Sequence, residues 1–341
     1  MSKGGPDGVK NWAFKDVSNA YAEGFGFQKP DVANINRWKR GLQGCFRAAI
    51  LSGFTGIQIL NHVDDALHTT WRNLLDFDPL ARYGGFSYED VVVRPAADAL
   101  RTVTRPSTKV WFMIMGEMGR SLFRHPGSYM KLIGKYRGTL ARGKVKANVK
   151  VGIALHWNKV CGNCFFMPDT RTAQQYNATY AKAFADQRDY IRGNYDLGTL
   201  KRVFEVSDVL GISHYAPMPT DALNFASFEL PFMTTAFELK YWGISLKSLV
   251  QQQSKKDFLF SEVGLGAHSL MGVQLLLTCN PWLKASRTAS GLSTTQRRTP
   301  GSGRTSATTA RNGFTICWAS CATAAAKMSR SMQLCVERWQ L

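Results

Sequence analysis

The chain has 341 residues, 45% hydrophobic content and a formal net charge of +19. It is long enough for one large α/β domain and too apolar to be disordered throughout. From Leu276 onward nine Lys/Arg stand against one acidic residue, so much of the charge is terminal; with no basic run in the body, specific nucleic-acid binding is not expected.

Residues 1–35 are rich in Gly, Asp, Asn and Lys without periodicity and read as an N-terminal arm. The opening lacks an apolar core of signal-peptide length, and no eighteen uncharged apolar residues run together, so a soluble protein of unassigned compartment with no membrane partner is expected. From Asn36, the residues Trp38, Leu42, Cys45, Phe46, Ala49 and Ile50 recur at three and four, which predicts an amphipathic helix ending near Gly53. Gly56 to Asn61, GIQILN, is a short buried strand running into His62, Asp64 and Asp65. An irregular segment with Trp71, Arg72 and Asn73 follows, then a helix from Tyr88 to Thr104 despite Pro95.

Val110 to Gly119, VWFMIMGEMG, has the bulk of a strand buried on both faces and delivers Glu117 to its end. Pro126 to Arg142 reads as a helix with proline in its first turn, and Val149 to Leu155 as a strand ending in His156 and Trp157. Helical pattern returns over Thr172 to Arg192 and Leu197 to Val206; Asp208 to Ser213 is a strand ending in His214 and Tyr215. Glu229 to Trp242 and Ser245 to Gln253 are helices, and the strand Asp257 to Gly264 carries Glu262. Cys161 and Cys164 have C-x-x-C spacing without a second ligand pair, so a loop with two thiols is expected rather than zinc. Residues 278–341, dominated by Ser, Thr, Arg, Gly and Ala, read as a disordered basic tail. A shifted frame or retained intron would produce such a change of character.

Alternation of helix and strand predicts a mostly parallel sheet with helical crossovers. All five strands end in polar candidate groups, as in a TIM (β/α)8 barrel, and no Gly-rich dinucleotide or phosphate loop supports an open doubly wound sheet. Two carboxylates on strand ends are the chemical requirement of glycoside hydrolysis, an acid to protonate the leaving oxygen and a nucleophile or base beside it.

On these residues the chain resembles the clan A glycoside hydrolases, TIM barrels of the cellulase and mannanase type. The resemblance spans roughly Asn36 to His268 within a barrel domain of residues 36–277. It implies that Glu117 ends strand four as general acid/base and Glu262 ends strand seven as nucleophile of a retaining mechanism. Glu117 is then expected to be the more buried, with a raised pKa, and Glu262 to be charged. Ser213-His214-Tyr215 is similar to the family's strand-six neighbourhood, where a Tyr hydroxyl bonds the nucleophile. His62, Asp64 and Asp65 would hold sugar hydroxyls, with Trp71, Arg72, His156, Trp157, His214 and Tyr215 as further substrate contacts. Adjacent aspartates rarely face one centre, so no metal is expected, nor any cofactor; the implied partner is an oligo- or polysaccharide.

The chain departs from the pattern where Gly116 replaces the Asn that usually precedes the acid/base, and where the strand-two Arg is missing. Only strands three to seven are recognisable, so an incomplete barrel, truncated at its N-terminus, is expected. The rival expectation is a vestigial barrel that binds carbohydrate without cleaving it.

Overall fold

The computed structural model describes residues 8–15, 27–66, 70–141, 148–168, 173–216, 226–251 and 256–263. The expected tail, residues 278–341, lies outside them. Five strands, β3 (Gly56–Leu60), β4 (Lys109–Gly116), β5 (Asn148–His156), β6 (Val209–His214) and β7 (Asp257–Val263), form one parallel sheet in sequential order. Each parallel neighbour needs a crossover. A 3-10 turn (Arg72–Leu74), a π-helical turn (Glu89–Val93) and α2 (Arg94–Val103) join β3 to β4; α3 (Gly119–Arg124) and α4 (Pro126–Ala141) lead to β5. Then α5 (Ala173–Asp186), α6 (Arg188–Asn194) and α7 (Leu197–Val206) lead to β6, and α8 (Ala226–Tyr241) and α9 (Leu246–Gln251) to β7. Pro95 sits in the first turn of α2, directly after the π-helical turn, where the chain already departs from regular α-helical bonding and the Arg94 amide reaches back to the Glu89 carbonyl.

The sheet curls into a half-barrel. Across four strand spacings a flat sheet would hold β3 and β7 roughly 19 Å apart. Yet the buried Gln58 of β3 donates from Nε2 to the Ser261 carbonyl of β7 at 2.7 Å, and Trp111 Nε1 of β4 donates to Asp257 Oδ2 of β7 at 2.7 Å. The alternation of side chains along each strand separates two apolar clusters. Met113, Ala154 and Val209 lie inside the curl with Leu60, Trp111 and Leu259, while Ile57, Ile59, Phe112, Ile153 and Ile212 belong to the larger core that includes the helices.

The N-terminal arm is not loose where it is described. Val9 and Trp12 are buried, Trp12 Nε1 donates to the Phe86 carbonyl at 2.9 Å, and its ring meets Phe77 edge-on at 5.2 Å. One indole buries as much apolar surface as several smaller residues, without needing a periodic neighbourhood. Beside it β1 (Phe14–Lys15) pairs antiparallel with β2 (Phe27–Gln28), outside the parallel sheet. Helix α1 (Val32–Leu51) starts before Asn36 because Asp31 caps it, accepting from the Asn34 amide at 2.6 Å.

Candidate active site

All five strands point their C-terminal ends to one rim, and two register slips shape it, one between Met113 and Gly116 on β4 and one on β7, where Ser261 is left unpaired between the partners of Ile212 and Ser213. Such slips re-aim the side chains that follow them. Beside the first, the buried Tyr88 hydroxyl donates to the Asn61 and Ile114 carbonyls at 3.1 and 2.9 Å. Immediately beyond β4, Glu117 adopts the left-handed backbone region at φ 53°. That conformation is uncommon for a side-chain-bearing residue and is held here by surrounding packing. Its amide donates to the Ala154 carbonyl at 3.1 Å.

Glu117 is 5% exposed, and its Oε1 has no hydrogen-bond partner among the described residues. Burial pushes its carboxyl up from the ordinary value, against the opposing pull of Arg72 and a Ser213 hydrogen bond. His156, at the end of β5, places Nε2 4.0 Å from Glu117 Oε1. Its Nδ1 lies 3.0 Å from the Asn158 carbonyl, an acceptor only, so Nδ1 carries the proton. Burial depresses its pKa to about 4, leaving the neutral ring with Nε2 as an acceptor facing the acid.

Across the rim, Tyr215 donates from its hydroxyl to Glu262 Oε2 at 2.7 Å. Glu262 is less buried than Glu117. Its carboxyl is also raised, first by burial and then by the charge of Glu117, with Tyr215, Arg72 and His156 working in the opposite direction. The expectation that only Glu117 would be raised is thus corrected: two carboxyls in one poorly solvated rim each disfavour the other's ionisation.

Arg72 links the pair. Its Nε and Nη2 engage both oxygens of Asp64 at 2.7 and 3.2 Å, its Nη1 lies 3.7 Å from Glu117 Oε2, and its charge is felt by Glu262. Nη1 also donates to the His62 ring, whose pKa is lowered well below the ordinary value, by burial first and by Arg72 second. Neutral His62 and charged Asp64 therefore orient the guanidinium. Trp71 meets His156 edge-on at 4.8 Å and is 37% exposed; Tyr215 stacks with His156 at 6.2 Å and is 43% exposed. These rings form the open aromatic edge of the rim.

Three expected contacts take other roles. His214 has no exposed surface; its ring packs against Phe228 and Phe260, and Nδ1 accepts from the Ala216 amide at 3.1 Å. Residue alternation turns it to the helix side of β6, away from the rim side chains of its neighbours. Asp65 is buried and accepts from the Thr70 amide at 3.2 Å, building the loop toward Trp71. Trp157 is half-buried against the core, its carbonyl accepting from Thr235 Oγ1 at 2.8 Å.

Two supporting residues carry no obvious sequence motif. Asn73 is fully buried, accepting from the Gly119 amide at 2.6 Å and donating to the Lys159 carbonyl at 2.7 Å. Gly119 is obligatory there, because a Cβ would fall 2.0 Å from the Val160 carbonyl oxygen. Glu238 of α8, also fully buried, accepts from the Lys159 and Val160 amides at 2.8 Å each and from the Tyr176 hydroxyl. Its position on a buried helical stripe with Thr234, Thr235, Leu239 and Trp242 is the one signal that could have found it. Nearby Cys161 and Cys164 are buried free thiols, and no group of three or more His, Cys, Asp or Glu suited to a metal occurs among the described residues. Among the same residues no helix is long and apolar enough to cross a membrane.

No protein-family model, curated protein or solved structure matches this chain.

Proposed function

We propose that the chain is a retaining glycoside hydrolase of the clan A type, with β3 to β7 serving as strands three to seven of a TIM barrel. The observation that carries the reading is the unequal pair of rim carboxyls under one guanidinium. Glu117 is the more buried and keeps a free oxygen; Glu262 is held by a phenol. A buried carboxyl with a raised pKa keeps its proton until a leaving oxygen takes it, whereas a hydrogen-bonded carboxylate is the better nucleophile.

In this mechanism Glu117 protonates the glycosidic oxygen while Glu262 attacks the anomeric carbon, forming a glycosyl ester and releasing the aglycone. Glu117, now ionised, takes a proton from water as that water attacks the anomeric carbon and displaces the Glu262 carboxylate, restoring both groups. Neutral His156 stands 4.0 Å from Glu117 Oε1, too far for a hydrogen bond, and leaves that oxygen free to give its proton to the leaving group. Arg72 substitutes for the arginine that strand two usually supplies, neutralising whichever carboxyl is charged. Trp71 and Tyr215 offer ring faces to a pyranose.

The test is a panel of aryl glycosides and plant polysaccharides, followed by a 2-deoxy-2-fluoro glycosyl fluoride. The expected result is turnover lost in Glu262→Gln and a covalent sugar on the Glu262 peptide; a label on another residue refutes the assignment. A second reading, carbohydrate binding without cleavage, is favoured by Gly116. A Cβ there would lie 2.4 Å from Leu60 Cδ1 and Cγ, so the Asn that usually precedes the acid/base in clan A enzymes has no room unless Leu60 moves. Glycan binding with no turnover of any substrate in the panel supports that reading.

A further inference from the structure

We infer that a second cleft, between α5, α6, α7 and the end of α8, binds an organic phosphate or sulfate ester through its anionic group and an apolar portion. The cleft measures about 680 Å³ and shares no residue with the carboxylate rim. That volume is within the range of small-molecule sites. Arg188 and Arg192 of α6, Lys201 of α7 and Lys240 of α8 line it, and no acidic residue does. Its apolar lining comes from Phe184, Ile191 and Trp242, all buried.

Two of the acids on the surrounding elements are engaged away from the cleft. Asp186 pairs with Lys182 at 2.6 Å, and Asp196 caps α7 by accepting from the Thr199 amide at 2.9 Å. Glu205 lies 3.8 Å from Lys201. Among the described residues, Arg188, Arg192, Lys240 and Asp189 form no ion pair. Because Asp196 occupies the first amides of α7, the anion would be held by side-chain cations and not by a helix terminus.

Arg188, Arg192 and Lys240, the three cleft cations outside any ion pair among the described residues, repel each other around one concave surface and concentrate a positive potential that anions from solution relieve. Two guanidiniums one helical turn apart present planar forks that match the oxygens of a tetrahedral ester. The half-buried Leu197 and Tyr241, which also line the cleft above those buried side chains, offer surface to a hydrophobic group, which inorganic phosphate lacks. The combination therefore selects an ester over the free ion.

Isothermal titration of the full chain at low salt with phenyl phosphate, phenyl sulfate, inorganic phosphate and phenol tests this. An aryl ester should bind about ten-fold more tightly than inorganic phosphate or phenol, and the better ester identifies phosphate or sulfate as the group recognised. Arg188→Ala with Arg192→Ala should weaken it about ten-fold and flatten its salt dependence. Arg40→Ala with Lys131→Ala removes the same charge from exposed positions elsewhere and should change it by less than about two-fold. Circular dichroism verifies the fold, and Lys240→Ala repeats the test from α8, with weakened binding expected. The inference is overturned if neither ester binds at millimolar concentration, if inorganic phosphate binds equally well, or if the two double variants weaken binding alike.

Discussion

The Tyr215 hydroxyl donates to Glu262 Oε2 at 2.7 Å, so a residue just beyond β6 governs the charge of a carboxyl on β7. The bond favours the ionised carboxylate and opposes the upward push of burial and of Glu117. In Tyr215→Phe the Glu262 pKa rises further. The acid limb of a kcat/KM profile should then move to higher pH by about one unit, with kcat lower by about ten- to a hundred-fold. A variant profile whose acid limb stays in place would remove Tyr215 from this role.

Arg72 is the common cation of Asp64, Glu117 and Glu262. Arg72→Met leaves three carboxyls in a partly buried rim with no compensating charge, and the fold should lose about 2 kcal/mol in urea unfolding at pH 7. Part of that loss should disappear at pH 4, because burial already raises the pKa values of Glu117 and Glu262 and these two accept protons. Arg72→Lys should recover little, because an ammonium cannot reproduce the two-pronged contact with Asp64. Equal stability of Lys and Arg forms would show that only the charge matters.

Glu238 links stability to pH without touching the rim carboxyls. Burial raises its pKa from 4.5 to about 7, despite the two amides and the phenol that favour its charge. Across that window the folded chain holds a proton that the unfolded chain has released. The contribution of Glu238 to stability is therefore greatest below pH 4.5, declines as pH rises to about 7, and is constant above it. Urea melts of the wild type against Glu238→Gln should show their difference shrinking by up to about 3 kcal/mol over this range. Parallel pH dependences would mean that Glu238 stays ionised in the folded chain.

Gly116 and Leu60 form a steric pair. Gly116→Asn alone should destabilise by about 2 kcal/mol, since Leu60 must move from its place inside the curl. Adding Leu60→Ala should restore about half of that, a non-additive result expected only for residues in contact. Should the double variant also gain glycosidase turnover over the parent, the missing amide is what limits the parent site.

Much of this arrangement was legible in the residues. The β4 run is bulky and apolar between Thr108 and Gly119, and Glu262 follows a similar run on β7, so both strands and their carboxyls stood out. Trp12, Asn73 and Glu238 did not, because each acts through partners 46 or more positions away in the chain, which no local pattern announces. His214 and Asp65 carried the right chemistry in the right order, yet one-residue alternation and a loop hydrogen bond turned them inward. Strand order could be read from the alternation of elements; the slips at Met113/Gly116 and at Ser261, which aim the site, could not.

One amide ties together the loops after β3, β4 and β5: Asn73, next to Arg72, accepts from Gly119 and donates to Lys159. Neither bond can break by itself without leaving a fully buried polar group unpaired. The rim therefore opens as one cooperative unit. Amide hydrogen exchange should reflect this, with Gly119, held by Asn73, and Val160, held by Glu238 just past the Lys159 carbonyl that Asn73 bonds, exchanging at a shared opening free energy although 41 positions separate them in the chain.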